Sequence, residues 1–288
     1  MKKTDNIVLV GMAGAGKSTL GVLLAKATGK HFVDTDLLIQ QHTGRMLQDL
    51  IDNEGVDAFL KIEEEVLSSL ELHDHVIATG GSSVYSDRAM AHLKEHGTVV
   101  YLFVHYDELQ YRIPNLSTRG IVFRGENFTL RDVYEERLPI YARYADVTVD
   151  CSGSDMRSSL ERVLAGLCSP WFGRMIAEAR AQLKIVADRP NAQAILLQTE
   201  SDELLCGVIG DGQASARIGE DDLIERLKQS GCSRVKRLLC VWANGGVDLP
   251  SYRFRTMLLQ ADGENRTAEM LVSGARGYNT VQLETRMN

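Results

Sequence analysis

The chain has 288 residues, of which 44% are hydrophobic and 25% charged, with a formal net charge of −7. That length suits two domains better than one. The balance excludes a disordered chain and a broad nucleic-acid surface, though a local basic pocket for a small anion remains open, and no run approaches the roughly 20 apolar residues of a membrane span.

The N-terminal MKKTDNIVLV carries two lysines, but its apolar run extends only from Ile7 to Val10. This is too short for the core of a secretory signal, and a cytoplasmic protein is expected. IVLV is the first predicted strand. It leads into GMAGAGKSTLG, where Gly11, Gly16, Lys17 and Ser18 satisfy G-x-x-x-x-G-K-[ST] between a predicted strand and a predicted helix. Glycines let backbone N–H groups turn inward around phosphate oxygens, and the helix starting near Lys17 adds the positive end of its dipole. Lys17 is placed to reach the β- and γ-phosphates of ATP, and the Ser18 hydroxyl to ligate Mg²⁺. Gly14 and Thr19 complete the nucleotide site. Beyond it, Leu20, Leu23, Leu24 and Ala27 fall at helical spacing, and Gly29 can close that helix.

HFVDTD is the second predicted strand. Residues i and i+2 of a strand face the same way, so Asp34 and Asp36 are expected to point together into the cleft above the phosphate loop. One would hold Mg²⁺ through water while the other orients or deprotonates an acceptor hydroxyl. A helix is predicted from Val56 to Leu70, on which Glu63, Glu64 and Glu65 read as a solvated face. HVIATGGSSV supplies the third strand, with Gly80 and Gly81 letting a ligand approach the backbone at its carboxyl end. TVVYLFV and ADVTVD follow, and SSLERVLAGL, ending near Cys168, closes the alternation. Such alternation implies a mostly parallel sheet covered on both faces, with ligands at the carboxyl ends of its strands.

After SPW the texture changes. Phe172, Met175, Ala179 and Leu183 make a helical stripe. The strand-like runs AQAILLQT, ELLCGVIG, QASARIG, RVKRLLCVWA, FRTMLLQA, AEMLVSG and YNTVQLET follow, interrupted by one clear helix, DDLIERLKQSG. This suggests a smaller α+β domain with an antiparallel sheet and a hairpin turn at ANGG. All seven histidines lie at or before His105, so metal or imidazole chemistry is not expected in this part, which reads as a binding, regulatory or dimerising unit. The five cysteines are widely spaced without a C-x-x-C pair and read as buried free thiols. Asn115, Asn127 and Asn265 begin N-x-[ST] sequons, which are chance matches in a cytosolic protein.

Taken in order, GMAGAGKST, FVDTDLLI, the E-G-x-x-x-F stretch from Glu54 to Phe59, ATGGSSV, STRGIVF and ERLPIYARYADVTVD resemble the shikimate kinase family over about residues 1–168. The resemblance implies an α/β P-loop NTPase of the nucleoside-monophosphate-kinase-like type, with a five-stranded parallel sheet, helices on both faces and a mobile lid. It implies a kinase domain over 1–168 and a separate domain over 169–288. It also implies ATP-dependent phosphorylation of a hydroxyl on a small acid, with Mg²⁺ as cofactor and neither nucleic acid nor membrane as partner. By the same resemblance Asp34 stands near Mg²⁺ and Asp36 binds acceptor hydroxyls and acts as base. Gly80 and Gly81 line the acceptor pocket, Arg119 closes over ATP from the lid, and Arg137 grips the acceptor's carboxylate.

One position departs from the pattern. The family's F-R-x-x-E element supplies a second arginine to that carboxylate, whereas here it reads Phe59, Leu60, Lys61, Ile62, Glu63. Losing one partner of a buried charged hydrogen bond costs about 2 to 5 kcal/mol, and Lys61 points about 100° away on a helix. Either Arg137 still holds shikimate, helped by Lys61 or an arginine of the second domain, or the pocket is remade for a less acidic hydroxyl compound. A nucleotide-binding regulator without catalysis is the rival from a different class.

Overall fold

In the computed structural model, which describes residues 5–113, 121–123, 128–186, 191–210, 213–274 and 277–286, the first apolar run becomes strand β1 (Asn6–Val10), buried at every position. A strand buried on both faces belongs inside a covered sheet, and β1 pairs in parallel on both edges. The chain then forms α1 (Lys17–Thr28), ended by Gly29 in the left-handed conformation with its N–H donated to Ala25 O. There follow β2 (His31–Asp34), α2 (Thr35–Thr43), α3 (Leu47–Glu54), α4 (Val56–Ser68), β3 (His75–Ala78), α5 (Asp87–Glu95), β4 (Gly97–Phe103), α6 (Tyr106–Arg112), α7 (Leu130–Tyr144), β5 (Val147–Asp150) and α8 (Met156–Cys168). The strands make the expected five-stranded parallel sheet in the order β2-β3-β1-β4-β5. Because β3 and β4 lie on opposite sides of β1, the connections diverge at its carboxyl end, where a crevice opens. The chain divides into two units, Met1–Val163 and Leu164–Asn288.

Two expectations in the first unit are corrected. The FVDTD strand stops at Asp34, whose carboxylate accepts the N–H of Asp36 at 3.0 Å and caps α2. Aspartate is a favoured helix cap, and once it serves as one, Asp36 enters the cleft from the first helical turn rather than by strand alternation. The glutamate run is not a solvated face. Glu63 shares the buried stripe of α4 with Phe59, Val66 and Leu67 and is 2% exposed. Glu64 is half-buried and accepts the Ser86 hydroxyl, leaving Glu65 exposed.

In the second unit α9 (Pro170–Ile185) is followed by β6 (Gln193–Thr199), β7 (Leu204–Ile209), α10 (Gln213–Gln229), β8 (Val235–Trp242), β9 (Val247–Asp248), α11 (Tyr252–Ala261), β10 (Glu269–Gly274) and β11 (Gly277–Gln282). The sheet runs β11-β10-β8-β6-β7, with β9 paired to β8. Phe172, Met175, Ala179 and Leu183 of α9 pack into one core cluster, as their spacing predicts, and Leu223, Leu227, Phe254 and Leu258 of α10 and α11 into another.

Two strand-like runs are helical instead. QASARIG opens α10, and FRTMLLQA lies within α11, where Ser251 caps the helix by accepting the Phe254 N–H. Phe254, Arg255 and Leu258 are buried at helical spacing there. With α11 between β9 and β10, β10 returns parallel to β8, so the sheet is mixed rather than antiparallel. ANGG does turn the chain between antiparallel β8 and β9, with Gly245 at φ 97°.

All five cysteines are free, but only Cys151 and Cys240 are buried, and Cys168 is exposed. Asn265 is buried, its amide donating to Ser233 O and Leu258 O, while Asn115 and Asn127 lie outside the described residues. Among the described residues no helix is long and apolar enough to cross a membrane.

Candidate active site

A cavity of about 650 Å³ is lined by the turn after β1, the first turn of α2, the turn after β3 and Arg137 of α7. It brings together Gly14, Gly16, Lys17, Ser18, Thr19, Asp36, Gly80, Gly81 and Arg137 of the sequence-predicted set. Gly11 and Asp34 stand outside that lining, and Arg119, with the STRG part of the lid-like segment, lies outside the described residues.

The phosphate loop owes its shape to backbone freedom. Gly11 sits at φ 146°, and a Cβ there would lie 2.7 Å from Leu102 O, so only glycine fits against β4. No side chain caps the first turn of α1, which leaves its N–H groups available to an anion. Lys17 Nζ donates to Gly11 O at 2.7 Å and Met12 O at 3.0 Å. Burial, partly offset by Asp36, lowers the Lys17 ammonium to about 8.

Around the acceptor side, Ser18 Oγ donates to Asp34 Oδ2 at 2.6 Å, joining a hydroxyl and a carboxylate at the start of α1. Burial and then the neighbouring Asp34 charge push the Asp36 carboxyl up to about 6. Gly80 lets the backbone pass between two acids. A Cβ on it would lie 2.5 Å from Glu63 Oε1 and 2.8 Å from Asp36 Oδ1. Its N–H is donated to Thr35 Oγ1 at 3.1 Å. Arg137 is 1% exposed, its Nε donating to Tyr85 Oη at 3.1 Å and its Nη2 to Val122 O at 2.7 Å, with the guanidinium stacked over the Tyr85 ring.

Leu60 does not enter this cavity. It packs against the cluster of Ile39, Leu50, Phe59 and Val122, and with the exposed Lys61 lines a neighbouring cavity of about 180 Å³.

Sequence motifs did not mark Tyr85, Tyr141 or Arg112. Tyr141 donates its hydroxyl to Gly81 O at 2.6 Å, fixing the turn after β3. It follows Arg137 by one helical turn, so the i, i+4 rule places both on one face of α7. Tyr85 carried no such signal, since its bond to Arg137 joins residues 52 apart in the chain. Arg112 lines the cavity with its guanidinium 2.5 Å from Glu108, and nothing in the pattern set it apart from a surface cation.

Comparison with known proteins follows the same residues. The sequence profile of the family described as shikimate kinase matches residues 13–168. A shikimate kinase of Thiobacillus denitrificans is 40% identical over 168 residues, spanning 58% of this chain and 91% of that protein. One of Mycobacterium leprae is 37% identical over 174 residues, spanning 58% and 86%. Among solved structures, the shikimate kinase from Acinetobacter baumannii in complex with shikimate matches with a TM-score of 0.53 at 32% identity, covering 58% of this chain and 94% of that one. The enzyme from Bacteroides thetaiotaomicron matches with a TM-score of 0.50 at 29% identity, covering 57% and 98%.

Proposed function

We propose a specific reaction from one premise: this chain belongs to the shikimate kinase family. It is a small-molecule kinase that transfers a phosphoryl group to an alcohol oxygen. The reaction we assign to it is ATP-dependent phosphorylation of shikimate to shikimate 3-phosphate. The observation that carries this reading is that one cavity holds Lys17, Asp36 and Arg137 together. These are a cation for the polyphosphate, a half-buried carboxyl for the hydroxyl and a buried guanidinium for the acid.

Lys17 and the uncapped first turn of α1 would hold the β- and γ-phosphates. Asp36, more basic than an ordinary carboxylate through burial, would accept the hydrogen bond of the attacking hydroxyl and take its proton. Arg137 would bind the acceptor's carboxylate while Tyr85 and Val122 hold the guanidinium in place. Gly80 and Gly81 would form the floor beneath the ring. Arg119 belongs to the proposal on sequence grounds, as the cation that closes over ATP. Most of the rate would come from positioning and from charge complementary to the moving phosphoryl group.

The donor set suits Mg²⁺. The Ser18 hydroxyl and the Asp34 carboxylate are hard oxygen ligands brought together. Mg²⁺ commonly takes one or two protein oxygens and completes its shell with water and phosphate. When bound there it would neutralise phosphate charge.

Leu60 favours a second reading, in which the acceptor is a related hydroxy acid other than shikimate. Coupled measurement of ADP release by the full chain tests both. Release that rises and saturates with shikimate is expected. Release that depends on another hydroxy acid but not on shikimate would move the assignment to the second reading, and ATP binding without acceptor-dependent release would reject both.

A further inference from the structure

The small cavity beside the acceptor site is lined by two carboxyl groups, those of Glu63 and Glu64, and by the Lys61 side chain. Leu60, Glu63, Glu64, Ser82 and Tyr85 line its wall, and Ser82 is also part of the larger cavity's lining, so the two share a side. Glu63 is 2% exposed, and its Oε1 has no hydrogen-bond partner among the described residues. The other polar groups of this wall are engaged. Glu64 Oε2 accepts Ser86 Oγ at 2.5 Å, and Tyr85 Oη accepts from Arg137 Nε and donates to Glu136 Oε2. Lys61 is exposed and forms no ion pair with either glutamate among the described residues. Glu63 Oε1 also lies 2.5 Å from the point where a Cβ on Gly80 would stand, and Asp36 Oδ1 lies 2.8 Å from that same point. The unpartnered oxygen is therefore a neighbour of the carboxyl to which the acceptor hydroxyl is assigned.

A buried carboxylate without a cation is costly, and the group responds by keeping its proton or by finding a positive partner. Burial first, then the Asp36 charge, pushes the Glu63 carboxyl up to about 7, against a hydrogen bond from Ser82 and the charges of Arg137 and Lys17. The aliphatic side chain of Leu60 supplies no donor. A void of about 180 Å³ has room for a polar substituent of the acceptor.

Resting on the kinase reading above, we propose that this cavity is an ammonium subsite of the acceptor site. The acceptor that this kinase serves best is a zwitterionic hydroxy acid, whose carboxylate meets Arg137 and whose primary ammonium group pairs with the Glu63 carboxylate. An ammonium brings three donors and the charge that Glu63 lacks. A hydroxyl at the same place satisfies one lone pair and leaves the charge uncompensated.

The test uses the full chain with ADP and Mg²⁺ for binding and with ATP and Mg²⁺ for turnover. The probes are shikimate and analogues in which one ring hydroxyl is replaced by an ammonium. Calorimetric titration is expected to show one analogue binding at least tenfold tighter than shikimate to wild type. That advantage should be lost in Glu63→Gln, which keeps the shape and removes the charge. Leu60→Arg, which places a guanidinium of the protein in the cavity, should also erase it and lower KM for shikimate instead. Shikimate-dependent ADP release with no tighter-binding analogue, or with an advantage that survives Glu63→Gln, would overturn the subsite and leave the kinase reading intact. Tight, Glu63-dependent binding of an analogue with no ADP release from any acceptor would uphold the subsite and reject phosphoryl transfer.

Discussion

Burial governs the chemistry of the individual side chains over the phosphate loop. Asp36 is raised to about 6 by burial and the Asp34 charge, a value that keeps it ionised at neutral pH yet more basic than a solvated acid. Asp36→Asn keeps its shape but cannot take a proton, and kcat is expected to fall by about 10²- to 10⁴-fold. Lys17→Met should likewise abolish acceptor-dependent ADP release. Circular dichroism should show both variants folded, and near-normal turnover in either would remove that residue from the mechanism.

Glu63 makes a separate prediction through stability. Its carboxyl is raised from 4.5 to about 7, so the folded chain keeps a proton that the unfolded chain releases within that window. Its contribution is fully present below pH 4.5 and lost as pH rises through 7. Glu63→Gln carries no such proton, and it should therefore be more stable than wild type at pH 8 by roughly 3 kcal/mol, with the difference vanishing near pH 4.5. Urea unfolding at the two pH values checks this, and a pH-independent difference would assign the effect to packing.

At the scale of elements, the site depends on how helices begin and how closely strands approach them. Asp34 ends β2 by capping α2, and this cap places Asp36 in the cleft. In the sequence the two aspartates were legible as a pair, but the cap was not, because D-x-D reads equally as a strand end and as a helix start. FRTMLLQA posed the same ambiguity. Its apolar residues suit either period, and Ser251 ahead of it was the signal for a helix.

Gly80 joins α4, α2 and β3 at one point. Gly80→Ala would set a methyl group against Glu63 Oε1 and Asp36 Oδ1, since an ideal Cβ falls 2.5 and 2.8 Å from them. Such overpacking costs about 1 to 3 kcal/mol. A lower melting temperature together with reduced kcat is expected, and an unchanged kcat would show that Asp36 need not hold its observed position. At α7, Thr129 and Asp132 form a capping box ahead of Arg137. Thr129→Ala should cost about 0.5 to 2 kcal/mol of stability, measured by thermal unfolding.

For the molecule as a whole, the legible part was the part whose signals are local. The phosphate loop, the helix closed by Gly29 and the α9 stripe each announce themselves within about a dozen residues, and all three form as read. What could not be read depends on chain segments far apart. Glu63 is buried because α4 turns that face inward, Tyr85 holds Arg137 across 52 residues, and β10 runs parallel to β8 because a helix intervenes.

The same division bears on what the second unit contributes. Every side chain assigned to the reaction precedes Val163, where the first unit ends, and the family profile reaches residue 168. A chain cut after Cys168 keeps α8 whole and all of those side chains. It is expected to fold and to retain kcat and KM for its acceptor, measured by ADP release against the full chain. Retained turnover would leave the second unit as a binding, regulatory or dimerising module, as its lack of histidine suggested. A raised acceptor KM with unchanged ATP dependence would instead show that the second unit supplies charge or shape to the acceptor side, where Leu60 withholds it. Loss of ATP dependence as well would point to a fold that does not stand alone.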